Sequence, residues 1–119
     1  MAFKFEKLEV WKESVELSTE VHKITLAFPK DELYVLTSQI KRAADSISLN
    51  IAEGSTGQTN AEFRRFLSFA IRSGIEVIGC IYLGRKRNLI NETDFNSIYS
   101  LTDNLVMRIQ ALKKSIPIK

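Results

Sequence analysis

Apolar residues recur every three or four positions in four long segments of this chain, and this spacing constrains its fold most strongly. Such spacing places apolar side chains along one face of a helix, whereas a half-buried strand requires strict alternation. Only five glycines and two prolines interrupt the 119 residues. A chain of this length can bury one sizeable core, so we expect a single domain over residues 1–119. The pattern predicts an all-α fold, an antiparallel up-down-up-down four-helix bundle.

Helix-breaking residues set the expected ends of the first two helices. The first helix is predicted over about residues 8–27, because the residue before Pro29 is disfavoured in the α conformation. The second helix is predicted over about residues 33–53. We expect Gly54 to end it in the left-handed conformation that terminates many helices.

Capping residues set the starts of the last two helices. Thr59 and Glu62 have the spacing of a capping box, which predicts the start of the third helix. Gly84 and the basic turn after it are expected to end that helix. The sequence from Asn91 to Asp94 predicts a cap for the fourth helix, which we expect to fray before Pro117. Gly74 lies on the apolar stripe of the third helix and indicates a close helix approach there.

Positive charge is concentrated on the third helix and the turn that follows it. The chain has a net charge of +3, yet residues 58–91 alone carry +4 and residues 1–32 carry −2. The cations of this segment are Arg64, Arg65, Arg72, Arg85, Lys86 and Arg87. They are candidate nucleic-acid-binding residues, and we expect contacts to phosphates because no exposed aromatic residues are interleaved with them. Part of the cluster has an alternative, structural role, since cations at a helix C-terminus complement its dipole.

A polar stripe also runs along the second and third helices. Its members are Arg42, Ser46, Asn50 and Glu53, facing Glu62, Arg65, Ser73 and Glu76. We expect these residues to form an inter-helix hydrogen-bond network, because buried polar groups require partners. The alternative is an arginine-bearing surface for phosphate.

The sequence contains no recognisable catalytic or metal-binding constellation. His22 is the only histidine, and we expect it on a helix surface. Cys80 is the only cysteine, lies in an apolar setting and is expected to act as a small hydrophobe. We therefore expect no enzymatic activity, no metal and no cofactor.

The chain is expected to be cytoplasmic. A single cysteine forms no internal disulfide, and the N-terminus alternates apolar and charged residues instead of presenting an apolar signal segment. The longest nearly uncharged stretch, residues 73–83, is shorter than the roughly 20 residues that span a bilayer. We therefore expect no membrane partner.

Several motifs together resemble a known family. Residues 42–54 read RAADSISLNIAEG, residues 62–67 read EFRRFL, and Ser73 and Gly74 follow. Residues 5–11 carry F-x-x-L-x-V-W, and Phe28-Pro29 precedes E-x-Y-x-L at residues 32–36. This combination resembles the four helix bundle proteins, also known as 23S rRNA-intervening-sequence proteins and, by legacy naming, as a ribosomal protein family. The resemblance covers nearly the whole chain except the fourth helix, which carries little signature.

The resemblance implies a bacterial cytoplasmic protein and a homo-oligomer, with a pentamer favoured. The family includes a relative, the accessory protein of diversity-generating retroelements, which binds nucleic acid and a reverse transcriptase through a basic surface. The family often has a Gly-Tyr-Ile-type stretch after the third helix, whereas residues 84–90 here read GRKRNLI. The added charge favours an anionic partner.

Two functions follow as hypotheses. The first is an oligomeric module whose basic segment binds RNA or another nucleic acid. A nucleic-acid-processing protein is a further candidate partner of this module. The alternative is a protein–protein scaffold with no direct nucleic-acid role. Trp11, Phe69, Ile71 and Tyr99 exceed what one four-helix core hides, which favours self-assembly under either hypothesis.

Overall fold

The computed structural model describes residues 2–57 and 59–118, most of which belong to four long helices. These helices are α1 (Glu9–Thr25), α2 (Ser38–Ser55), α3 (Asn60–Lys86) and α4 (Glu92–Ser115). Two short 3₁₀ helices, Lys4–Lys7 and Lys30–Glu32, and a π-helical turn, Leu33–Thr37, complete the helical structure. Residues 2–57 and 59–118 contain no strand. The predicted all-α four-helix bundle is confirmed.

One core lies between the four helices. Each helix packs against the next, and α4 packs against α1, in a molecule of 46 × 25 × 20 Å. Large side chains that are fully buried come from every helix: Leu17, Ile40, Ile47, Ile51, Leu67, Ile81, Ile98, Leu105 and Ile109. Burial of each such side chain stabilises the fold by about 1.5–3 kcal/mol.

Gly74 lies where α3 and α4 approach closely. A Cβ atom added at Gly74 would lie 2.6 Å from Cγ2 of Val106, nearer than two carbon atoms pack without strain. The close helix approach expected at Gly74 is therefore confirmed. On the opposite side of α4, an ion pair between Glu13 and Arg108 joins α1 to α4.

The connection between α1 and α2 differs from the prediction. α1 ends at Thr25, and residues 33–37 form a π-helical turn instead of the first turn of α2. The Glu32 carboxylate accepts a hydrogen bond of 3.3 Å from the backbone N–H of Leu36 and so caps this turn. The segment exposes the apolar side chains of Leu33 and Tyr34, the latter to 89%.

The predicted role of Gly54 is wrong. Gly54 lies inside α2, and none of the glycines in the described part of the chain has a positive φ. Its function is close packing, since an added Cβ atom would collide with Cβ of Phe66 on α3. Gly54 keeps the right-handed helical conformation, and α2 continues through it to Ser55.

α3 ends at Lys86, within the basic turn that the sequence predicts as its end, although Gly84 itself still lies inside the helix. Asn88 adopts a left-handed φ of 61°. The backbone N–H groups of Leu89 and Asn88 donate to the carbonyl oxygens of Gly84 and Arg85, at 2.8 and 3.0 Å respectively. This pair of bonds is a Schellman motif, in which asparagine takes the position more often held by glycine.

The predicted caps of α3 and α4 are confirmed. The Thr59 hydroxyl accepts from the backbone N–H of Glu62 at 3.0 Å. The Asn91 side chain accepts from the backbone N–H of Asp94 at 2.7 Å. Both helices therefore begin at a residue that the local sequence specifies.

The outer surface of α3 is unusually apolar. By length and composition alone, this one helix of the described chain is apolar enough to cross a membrane, as core helices of soluble proteins also are. Only 33% of the apolar window is buried inside the bundle, however. Ile75, Tyr82 and Leu83 are each about half exposed on its outer side. We call Ile75, Gly79, Tyr82 and Leu83 the outer α3 surface.

Candidate nucleic-acid interface

The six candidate cations do not form one surface. Arg64, Arg65 and Arg72 lie in the first half of α3, whereas Arg85, Lys86 and Arg87 lie at its far end. A helix rises 1.5 Å per residue, so about 30 Å separates Arg64 from Lys86 along the axis. The two groups must therefore be considered separately.

Arg64 is held at the C-terminal end of α4. Its Nη1 atom donates to the carbonyl oxygens of Lys113 at 2.6 Å and Ile116 at 3.1 Å. The Lys113 carbonyl also accepts from the backbone N–H of Ile116 at 3.2 Å, so the arginine adds a second donor there. Arg64 also supplies a donor to the Ile116 carbonyl just beyond the helix, and its charge complements the negative end of the helix dipole. Arg64 consequently has a structural role and holds its guanidinium beside the last turn of α4.

Arg64 also lines a groove between α3 and α4, which we call the α3–α4 groove. It has a volume of about 660 Å³ and is lined by Arg64, Ser68, Ile71, Arg72, Gln110, Lys113 and Lys114. Four of these residues are cations, and none is acidic. Arg72 and Lys114 form no ion pair or side-chain hydrogen bond with any described residue. Their charges are therefore available to an anionic ligand.

Arg65 points away from this groove. Its guanidinium carbon lies 5.3 Å from the centre of the Phe69 ring, one helical turn further along α3. A cation over an aromatic face is attracted by about 0.5–1 kcal/mol at an exposed site. The contact covers part of the Phe69 ring, which the sequence places on the polar side of α3.

Two of the three cations at the end of α3 are engaged in contacts within the fold. Arg85 lies over the Phe95 ring, 3.8 Å from its centre, and 3.5 Å from the Glu92 carboxylate. Arg87 forms a 3.4 Å ion pair with Glu32 of the α1–α2 connection. Lys86 is exposed and forms no ion pair with the described residues. This group thus ties the end of α3 to neighbouring segments.

Lys113 and Lys114 are members of the groove that the sequence analysis missed. They occupy the last turn of α4, where two lysines are typical of a solvated helix end. Their proximity to Arg64, 49 residues earlier, results from helix packing. No local sequence signal connects the two segments.

The polar stripe forms fewer cross-helix bonds than expected. The Ser73 hydroxyl donates to the Ser46 hydroxyl at 3.3 Å, which joins two predicted members. The Asn50 amide donates to the Ser46 carbonyl of its own helix at 2.8 Å, and Glu76 accepts from Gln39 at 3.1 Å.

The charged members of the stripe lie at the surface. Arg42, Glu53, Glu62 and Glu76 are all exposed. Arg42 and Glu53 form no ion pair with described residues. These charges are therefore open to solvent. The stripe links α2 to α3 through the Ser46–Ser73 bond and through Glu76, which accepts from Gln39.

The comparisons with known proteins establish the family. Residues 6–111 match the family model described as "23S rRNA-intervening sequence protein". The chain belongs to the 23S rRNA-intervening sequence protein family. This confirms the resemblance that the sequence motifs indicate. No protein with curated annotation matches the chain.

A solved structure supports the fold of this family member. The chain is similar to a protein of unknown function from the S23 ribosomal protein family of Bacteroides thetaiotaomicron, with a TM-score of 0.80 and 22% sequence identity. The similarity covers 89% of this chain and 99% of that structure. At this level of identity, the comparison shows a shared fold.

A second polar cluster of this 23S rRNA-intervening sequence protein lies between α1 and α2. Nε2 of His22 lies 3.0 Å from Oδ1 of Asp45, and the Ser18 hydroxyl donates to the same oxygen atom. From the sequence, His22 is predicted on a helix surface with no partner. Asp45, 23 residues later, is the partner, and only the packing of α1 against α2 reveals it. Because the serine bonds to the aspartate and not to the histidine, the cluster lacks the arrangement of a nucleophilic triad.

Cys80 is buried in the core, with 4% of its surface exposed. Burial, with a smaller contribution from the negative charge of Glu76, raises the pKa of the Cys80 thiol to about 11. Such a thiol stays protonated at neutral pH and is a poor nucleophile. Within the described residues, no group of three histidine, cysteine, aspartate or glutamate side chains could hold a metal ion.

Proposed function

We propose that this protein binds the phosphate backbone of RNA through the α3–α4 groove and acts without catalysing a reaction. The observation that carries the proposal is the charge of the groove: four cations and no carboxylate are found among the described residues that line it. Lysine and arginine side chains bind phosphates largely by displacing condensed counterions, which gives affinity without reading sequence. The description of the family refers to 23S rRNA, which supports RNA as the anionic partner.

The groove favours backbone contacts over base recognition. Among the described residues that line it, Ile71 is the only large apolar side chain and none is aromatic. Stacking of bases on aromatic rings is the usual basis of sequence-tolerant single-strand binding, and the groove offers no such platform. Arginine and lysine at its rim are suited to phosphate oxygens, with Gln110 as a neutral donor.

The proposal includes self-assembly. Ile75, Tyr82 and Leu83 expose apolar area on the outer α3 surface, beyond what a monomeric bundle needs. A symmetric assembly repeats the groove in every subunit, so one RNA can contact several grooves at once. A homo-oligomer, with a pentamer favoured by the family resemblance, would bind RNA more tightly than a single subunit does.

The exposed apolar surface also supports a second candidate function, a protein–protein scaffold in the cytoplasm with no RNA partner. In that case, the outer α3 surface holds a protein, and the cations of the groove contribute only solubility and the cap of α4. The two functions differ in what happens when groove charges are removed.

The test is RNA binding by fluorescence anisotropy at low salt, with a labelled single strand and a labelled duplex. We expect the wild-type chain to bind, and the double variant Arg72→Gln and Lys114→Gln to bind at least tenfold more weakly. Both side chains lack partners among the described residues, so the variant should fold normally.

The matched control removes the same amount of charge elsewhere. Lys12 and Lys23 lie exposed on α1, 3.5 Å from Glu9 and Glu20 respectively. Lys12→Gln with Lys23→Gln should leave RNA affinity nearly unchanged. Equal losses in both double variants would mean that net charge alone determines binding, and no binding by the wild-type chain at low salt would support the scaffold.

A further inference from the structure

A second pocket, separate from the α3–α4 groove, lies where α1 meets the π-helical turn and the start of α2. It has a volume of about 330 Å³. Its polar lining residues are His22, Thr37, Ser38, Lys41, Arg42 and Asp45, and Leu33 and Tyr34 form its apolar side. We call it the α1–α2 pocket.

Thr37, one of the lining residues of this pocket, has an unsatisfied hydroxyl. The residue is 6% exposed, and its Oγ1 atom has no hydrogen-bond partner among the described residues. By contrast, the hydroxyl of Thr102, which is also a buried residue, donates to the carbonyl oxygen of Ile98 at 2.7 Å. A buried polar group without a partner is costly, so it is retained most readily where a ligand supplies the partner.

The backbone around Thr37 is also unusual. Leu33–Thr37 is a π-helical turn, a rare conformation that often occurs at functional sites. Thr37 is the last residue of this turn and directly precedes α2. The turn therefore places among the pocket's lining residues one whose hydroxyl is closed to solvent and has no partner among the described residues.

The charges of the pocket favour an anion. Lys41 and Arg42 form no ion pair with any described residue. The one carboxylate, Asp45, is already bound by His22 and by the Ser18 hydroxyl. The two cations thus lack a counter-charge of their own, while the hydroxyls of Thr37 and Ser38 can donate to further acceptors.

We propose that the α1–α2 pocket binds a phosphate monoester. A terminal phosphate carries close to two negative charges and three acceptor oxygens, which match two free cations and two hydroxyl donors. Lys41 and Arg42 neutralise the dianion. Rotation of the Thr37 side chain, whose hydroxyl is closed to solvent, brings that hydroxyl to one of the phosphate oxygens, to which it donates its proton. The organic group of the ester lies against Leu33 and Tyr34.

A phosphate monoester could belong to a free nucleotide or to the phosphorylated 5′ end of an RNA. Both sources present the same terminal phosphate, so the pocket chemistry is shared. The site does not depend on the α3–α4 groove, whose four cations come from other parts of α3 and α4.

The test is a titration of the full chain with inorganic phosphate and phenyl phosphate, followed by amide NMR shifts. We expect saturable shifts at Thr37, Ser38, Lys41 and Arg42, with phenyl phosphate binding more tightly than phosphate. Thr37→Val removes the hydroxyl but keeps the shape, and should weaken phenyl phosphate binding by about tenfold. Because Thr37→Val affects a buried position, Lys41→Gln with Arg42→Gln provides a second variant at exposed or half-exposed positions, and should abolish binding.

Two controls separate this proposal from the RNA-binding groove. Thr102→Val alters a satisfied buried hydroxyl far from the pocket and should leave phenyl phosphate affinity unchanged. Arg72→Gln with Lys114→Gln should also leave it unchanged, even if RNA binding is lost.

Titrations with adenosine 5′-monophosphate, and with 5′-phosphorylated and 5′-hydroxyl oligoribonucleotides, distinguish the two sources. Preference for the phosphorylated strand identifies an RNA end, and binding of the nucleotide alone identifies a free ligand; either supports the pocket. The proposal is overturned if the wild-type chain binds neither phosphate nor phenyl phosphate, or if Thr37→Val binds as tightly as the wild type.

Discussion

At the scale of single residues, a buried hydroxyl without a hydrogen-bond partner should destabilise the fold, and Thr37 carries such a group among the described residues. Thr37→Val removes the unsatisfied hydroxyl at constant shape, so we expect the free energy of unfolding to rise by about 1 kcal/mol. Thr102→Val instead removes a 2.7 Å hydrogen bond and should lower the free energy of unfolding by about 1 kcal/mol. Urea denaturation of both variants measures the difference, and a loss of stability in Thr37→Val would show that its hydroxyl has a partner.

The Cys80 thiol provides a second residue-scale prediction. Its pKa rises from 9.0 to about 11 in the fold, so the native chain keeps this proton over a range in which the unfolded chain loses it. The thiol therefore contributes stability that is lost as the pH rises from about 9 to about 11. Alkylation by iodoacetamide should be slow in the native chain at pH 8 and fast in denaturant. Equal rates in both states would show that the thiol is accessible and ionised.

At the scale of helices, two glycines of α3 have opposite expected effects. A Cβ atom at Gly74 would lie 2.6 Å from Val106, whereas nothing lies within 4 Å of a Cβ atom at Gly79. Gly74→Ala should therefore cost about 1–3 kcal/mol through overpacking. Gly79→Ala should stabilise the chain by about 0.5–1 kcal/mol through the better helix propensity of alanine. Thermal denaturation compares them, and a stabilised Gly74→Ala would mean that α4 moves freely away from α3.

The helices and their caps were predictable because their causes are local. The Thr59 and Asn91 caps depend on backbone groups three residues away, so a short window of sequence contains both partners. The roles of Gly54 and Gly84 were not predictable in the same way. Their small size is required by Phe66 and Ile90, which approach from another helix or from the following loop.

The candidate site was predictable only in part, for a similar physical reason. The excess of cations in residues 58–91 pointed to α3, and the structure places two of them, Arg64 and Arg72, in the α3–α4 groove. Composition does not show which charges are already neutralised. Arg87 pairs with Glu32, 55 residues earlier in the chain, and this pairing arises only from tertiary packing.

At the scale of the whole molecule, the exposed apolar area of α3 predicts self-association. We expect light scattering at micromolar concentration to give a mass of at least two chains of 13.6 kDa. Ile75 is 59% exposed on the outer α3 surface, so Ile75→Asp should reduce the mass without unfolding the chain. Val15→Asp makes the same kind of change on α1 and is the matched control. A monomeric wild-type chain would contradict this prediction.

The salt dependence of RNA binding tests the role of the α3–α4 groove most directly. Each phosphate contact contributes about 0.7–0.9 to the slope of log affinity against log salt concentration, depending on strandedness. Replacing Arg72 and Lys114 with glutamine removes two phosphate contacts and should therefore flatten the slope by about 1.4–1.8. The account predicts this change in the groove variant and an unchanged slope in Lys12→Gln with Lys23→Gln. An identical slope in the wild type and the groove variant would contradict it.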